Sequence, residues 1–163
     1  MNTYTLNFGG GDLWNTSDSF FFASTSSTDT LKTIIAKVDT FKDDNTDVWS
    51  KTGIQIRFGR TVNAKNVSVV LDKSNNISLQ YRSSRGASTQ EISVNGISAP
   101  VWMKISRSGS QFTGLYSIDG NNWMTIGTVT VSMNGTIYSG IFGAKNSIFD
   151  GYAVSTFSNL QGF

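Results

Sequence analysis

The sequence predicts an all-β sandwich or barrel. Short runs of alternating apolar and polar residues recur along nearly its whole length. Gly, Asn, Asp and Ser cluster between those runs, where turns need them. No stretch sustains a helical period with caps.

The clearest pattern lies in Trp49–Arg82. Ile54, Ile56 and Phe58 fall on one face of a strand, with Gln55 and Arg57 on the other. Val67, Val69 and Leu71 oppose Ser68 and Val70, and Ile77, Leu79 and Tyr81 oppose Ser78, Gln80 and Arg82. Three such neighbours make a sheet with one buried face and one surface of amides and guanidiniums. In chain order, the other strands are expected at Tyr4–Phe8, Ser17–Ser24, Leu31–Phe41, Ala87–Val94, Val101–Arg107, Gln111–Ile118, Trp123–Val131, Thr136–Ala144 and Tyr152–Leu160. Gly9–Asn15 reads as a loop carrying Trp14, and 42–47 as an acidic loop. Asn95-Gly96, Ser108-Gly109 and Asp119-Gly120 mark turns. Alternation in Phe20-Phe21-Phe22 places Phe20 and Phe22 on the core side and Phe21 on the open side.

The 163 residues suit a single domain, 1–163, with no linker or internal repeat. About a third of them are Ser, Thr or Asn, well above ordinary usage. The net charge is only +2 and the cations are scattered, so nucleic acid is not an expected partner. With no Cys and no His, disulfides, thiol nucleophiles, imidazole bases and the usual zinc sites drop out. No apolar run is long enough to span a membrane, and the N-terminal residues carry no signal-peptide pattern. An extracellular location is expected if the chain belongs to a larger secreted protein.

Several motifs resemble one family. They are Gly11–Trp14, Ser17–Phe22, Trp49–Arg57, Leu79–Arg82, Trp102–Gly109 and Phe112–Trp123. Together they resemble concanavalin A-like lectin/glucanase jelly-roll domains of the regulation-of-enolase type. The likeness runs from about Tyr4 to Phe157. It implies a jelly-roll β-sandwich of two antiparallel sheets, one of them curved, and membership among domains that accompany bacterial carbohydrate-active enzymes. It departs from the family at two points. A strand that commonly precedes the position of Tyr4 is missing, and Phe21 stands where a His is usual.

Glycoside hydrolysis needs two carboxylates flanking the bond. The glucanase signature Glu-x-Asp-x-Glu is absent, because the sole Glu, Glu91, is followed by Ser93 and Asn95. The loop residues Asp29, Asp43, Asp44, Asp47, Asp119 and Asp150 leave an enzyme as the least favoured reading. Asp43, Asn45 and Asp47 have the opening spacing of a calcium loop but not its Gly or closing Glu. No cofactor is expected, and a structural calcium stays open. Ser117–Trp123 is close to an Asp-box and reads as a hairpin whose Asp accepts backbone hydrogen bonds.

The expected function is non-catalytic, lectin-like carbohydrate binding on the concave sheet. Planar forks suit vicinal hydroxyls, and aromatic rings suit the apolar side of a sugar. The candidate ligand residues are Trp14, Phe21, Gln55, Arg57, Gln80 and Arg82. The partner would be a neutral oligo- or polysaccharide. Trp49 is expected as a core plug. The alternative is a protein-interaction module, or a homodimer formed through the edge left by the missing strand.

Overall fold

The computed structural model describes residues 2–44, 48–146 and 151–163. Among the described residues it contains fourteen strands and no helix. Numbered in chain order, they are β1 (Tyr4–Phe8), β2 (Leu13–Trp14), β3 (Ser17–Asp18), β4 (Phe21–Ser27), β5 (Leu31–Lys42), β6 (Lys51–Arg57) and β7 (Asn66–Asp72), then β8 (Asn76–Arg82), β9 (Gln90–Asn95), β10 (Val101–Ser108), β11 (Gln111–Ser117), β12 (Met124–Thr130), β13 (Ile137–Ala144) and β14 (Ala153–Gln161).

Twelve of the strands form two six-stranded sheets, ordered β1-β14-β5-β10-β11-β12 and β4-β13-β6-β7-β8-β9. β2 and β3 pair only with each other. Every pairing is antiparallel. The expected strand at Ser17–Ser24 is therefore two strands, β3 and β4. The expected loop at Trp14 is half of a small hairpin.

The sheets bury their inner faces against each other. The first contributes Leu6, Phe8, Ile34, Ala36, Val38, Met103, Ile105, Phe112 and Phe157, and the second Ile54, Ile56, Val67, Val69, Leu71, Ile77, Leu79 and Ile141. Strand alternation alone puts these residues together. Two contacts fix how closely the layers approach. A Cβ on Gly143 would lie 2.2 Å from the Phe8 ring, so only glycine admits that ring. Thr52 and Ser155 hydrogen-bond across the core at 2.9 Å, so a polar pair buried there is satisfied. β1 lies at the edge of its sheet.

Candidate functional site

The outer face of the second sheet carries the residues that the sequence places opposite the core. The ladder register sets them in rows. Gln55 pairs with Ser68, Ser68 with Gln80, and Gln80 with Glu91. One step along, Arg57 pairs with Asn66, and Asn66 with Arg82. The four candidates on β6 and β8 do share one face, as alternation requires.

That face is not open. The segment between β1 and β4 folds over it as the β2–β3 hairpin. Asn15 turns the hairpin at φ 48, a left-handed conformation that Asn tolerates. Ser19 N–H donates to Asp12 O at 2.8 Å and closes its base. Gly11 is needed there: its φ is +73 and an added Cβ would sit 2.2 Å from Ser19 O. Leu13, 1% exposed, plugs a second small core made with Val70, Phe142 and Ala144 and flanked by Phe20 and Phe22.

Asp18 fastens the hairpin to the sheet. Its carboxylate takes both terminal nitrogens of Arg82, at 2.7 Å each, and Nη1 of Arg57 at 2.5 Å. A bidentate fork of this kind is among the stronger protein ion pairs. Arg82 also donates to the carbonyls of Asn15, Ala64 and Ala87, and Arg57 to that of Thr61. Burial holds the Arg57 guanidinium below its ordinary pKa, and the bond to Asp18 opposes that shift.

These contacts correct the expected ligand set. Arg57 is 3% exposed and Arg82 and Gln55 are fully buried, so none of them presents donors to an accessible groove. Their hydrogen bonds go to the hairpin and its surroundings, and for Gln55 to Ser68 at 2.8 Å. The Phe triplet is also reversed. Phe22 pairs with Phe142 on the outer face, and Phe21 pairs with Gly143 on the side that alternates with the core. Phe21 is 46% exposed because β4 is an edge strand, but it does not reach the outer face. Alternation gave the period correctly and the sign wrongly, because the hairpin supplies a second apolar environment for Phe20 and Phe22.

The hairpin leaves a hollow on either side. One, of about 500 Å³, is lined by Phe20, Phe22, Arg57 and Arg60 among others. The other, of about 460 Å³, brings together Trp14, Trp49, Asn76 and Gln80 with the charged groups Asp12, Lys51, Asp72 and Glu91. Two of the expected ligands, Trp14 and Gln80, thus meet there. Trp49 joins them at 63% exposure and is not the core plug expected of it. The strand begins at Lys51, so Trp49 lies in the turn ahead of β6 and outside its alternation.

Six charged or amide side chains of this second hollow are positioned. Lys51 Nζ lies 2.8 Å from Asp12 Oδ1 and 5.4 Å from the Trp14 ring centroid, which fixes the indole by charge and by contact. Asp72 accepts from Asn76 N and Nδ2, both at 3.0 Å, capping the β7–β8 turn. Gln80 Nε2 donates to Glu91 Oε2 at 2.6 Å, which orients the amide and leaves Gln80 Oε1 without a donor.

The remaining candidates lie elsewhere. Asp119 accepts from Asn121 N, Asn122 N and Ser117 Oγ, as the hairpin reading requires, and backbone hydrogen bonds hold its carboxyl well below the usual carboxylate range. Trp123 lies under Lys104 at 3.6 Å on the first sheet. Of the calcium-like triplet, Asn45 and Asp47 lie outside the described residues, as does Asp150 of the loop carboxylates. Asp43 takes the Ser50 hydroxyl and faces Lys145 at 3.9 Å. Among the described residues no three metal-binding side chains cluster.

No protein-family model and no curated protein matches the sequence. Solved structures do match. A functionally unknown protein from Saccharomyces cerevisiae superposes with TM-score 0.77 at 14% identity, over 99% of this chain and 88% of that one. The GH43 BlXynB protein from Bacillus licheniformis gives 0.68 at 14% identity, over 99% of this chain but only 33% of its own. Alginate lyase A1-II′, a member of polysaccharide lyase family 7, gives 0.57 at 14% identity, over 81% and 62%. The chain thus spans a third of the GH43 protein and under two thirds of the lyase. These neighbours do not support the narrower regulation-of-enolase assignment. At such identities the likeness concerns architecture, and what it establishes is a concanavalin A-like jelly-roll sandwich, a fold that this chain has in common with carbohydrate-active enzymes.

Proposed function

We propose that the chain is a non-catalytic carbohydrate-binding domain, and that its ligand lies in the hollow between Trp14 and Trp49. The observation that carries this reading is that hollow itself. Two indoles line it together with amides and carboxylates, in a space of about 460 Å³. Indole faces suit the C–H side of a pyranose, and Gln80, Asn76 and Glu91 suit its hydroxyls. The carbohydrate-active neighbours of the same fold agree with this reading. The narrower regulation-of-enolase resemblance rests on sequence motifs alone.

Arg57, Arg82 and Gln55 take a supporting role. The two arginines hold the hairpin that presents Trp14, and Gln55 donates to Ser68 within the sheet, so they shape the site without touching a ligand. The domain is read as non-catalytic because the glucanase signature Glu-x-Asp-x-Glu is absent from the sequence. Glycan-array screening followed by calorimetry tests the proposal. Trp49→Ala and Trp14→Ala should each weaken binding at least tenfold, since stacking on one aromatic is worth about 1–2 kcal/mol. An array on which no glycan binds would overturn it.

Self-association through an edge is the second reading. β1 is an edge strand of five uncharged residues, with Tyr4 44% exposed. A dimer on size exclusion that Leu6→Pro or Thr5→Lys dissolves, with no sugar bound by the intact chain, would favour it.

A further inference from the structure

Charge and hydrogen-bonding capacity narrow the ligand class. Three carboxylates line the Trp14–Trp49 hollow, from Asp12, Asp72 and Glu91, against one ammonium, from Lys51. Lys51 is 5% exposed, and its charge is committed to Asp12 and to Leu13 O. Asp72 and Glu91 are met by the amides of Asn76 and Gln80 and not by cations. Gln80, 4% exposed, lines the same hollow, and its Oε1 has no donor. A buried acceptor left unpaired is costly, and a ligand donor would relieve it. The unspent capacity of the hollow is therefore acceptor capacity under a net negative charge.

We infer that the hollow takes a sugar bearing a protonated amine, as in glucosamine oligosaccharides, in preference to N-acetylated, neutral or carboxylated sugars. This inference rests on the proposed glycan binding at the same hollow, and it replaces the neutral ligand that the sequence suggests. An ammonium is three donors and a positive charge, which matches two carboxylates and an amide oxygen. The Trp14 and Trp49 rings favour a cation near their faces as well as a sugar ring. A uronate would place a second negative charge beside Asp72 and Glu91.

Calorimetry with short glucosamine, N-acetylglucosamine, glucose and uronic acid oligosaccharides tests this, at mildly acidic pH where the ligand amine is protonated. The expected result is binding of the glucosamine oligomer about tenfold tighter than its N-acetylated counterpart, the worth of about one charge-assisted hydrogen bond. Added salt should shrink that margin. Glu91→Gln keeps an acceptor for Gln80 on an exposed position of an edge strand, so the fold is spared. It should abolish most of the preference. Equal or tighter binding of the acetylated, neutral or acidic oligomers overturns the amine preference and leaves carbohydrate binding standing. Absence of binding to every oligomer overturns both.

Discussion

Asp18→Asn should destabilise the chain far more than an ordinary single substitution. Asp18 is 4% exposed and stands between two guanidiniums that are 3% and 0% exposed. Its carboxylate is the acidic partner of both, at 2.5 and 2.7 Å. Removing one member of a buried ion pair costs about 3–5 kcal/mol, because the charge left behind has lost its compensation. Here two charges are left behind, and the amide that replaces the carboxylate keeps its shape and one acceptor, so the same range serves. Against a total stability of about 5–15 kcal/mol, that is a large share. For a chain of this size each kcal/mol moves Tm by about 2–4 °C, so a fall of roughly 6–20 °C is expected in a thermal melt. The loss has a second outlet, because the hairpin pairs only with itself and joins neither six-stranded ladder. If it detaches before the sandwich melts, hydrogen exchange should speed up at Leu13–Asp18 and leave β6–β8 protected. Adding Arg57→Met to Asp18→Asn should restore part of the loss, since it removes one of the stranded cations. A Tm within about 2 °C of the parent, with unchanged exchange in the hairpin, would refute the clasp.

The other predictions use different parts of the molecule. Gly143→Ala drives a Cβ to 2.2 Å from the Phe8 ring and should cost about 1–3 kcal/mol by urea unfolding, as overpacking does. Asp119, whose folded carboxyl titrates below its unfolded value of 3.8, stabilises the chain above that pH and loses the effect as pH falls through the folded midpoint. Asp119→Ala should therefore lower Tm at neutral pH and matter progressively less in acid, with melts across a pH series as the check. Arg60→Ala, at the hollow on the far side of the hairpin, should leave glycan affinity unchanged in calorimetry if the Trp14–Trp49 hollow is the site.

Alternation made the sandwich legible. The inner residues of β5, β6, β7, β8 and β10 fall where period two puts them, because those strands have one buried face and one that is mainly polar. The hairpin was harder to see. Its strands are two residues each, below the length at which alternation carries a signal. Asp18 fell inside the strand expected at Ser17–Ser24 and drew no role of its own. What could have exposed it is charge accounting: two Arg on neighbouring strands, pointing the same way, require an acid if anything covers them. Phe20 and Phe22 carried the same message, since two aromatics on one face need an apolar surface, which Val70, Phe142 and Ala144 on the sheet's outer face supply together with Leu13. Trp49 escaped because it precedes its strand, where periodicity stops assigning faces.

The clasp and the hollow are one construction. Arg57 and Arg82 were expected to meet a ligand directly, and they meet Asp18 instead. Yet the hairpin that Asp18 holds down carries Trp14 into the hollow and places Asp12 against Lys51, whose ammonium lies near the Trp14 ring. Buried charge is expensive, and an apolar plug of Leu13 type would cover the sheet more cheaply. What a directional clasp adds is a fixed height and rotation for the indole, which stacking on a sugar ring requires and which an apolar contact alone does not set. If that is its role, Arg57→Met and Arg82→Met combined with Asp18→Leu should retain much of the stability, because all three charges leave together, while glycan affinity falls with the loss of a single Trp14 orientation. Thermal melts and calorimetry on that triple variant separate the two quantities. Affinity that survives intact would show that the clasp serves the fold and nothing else.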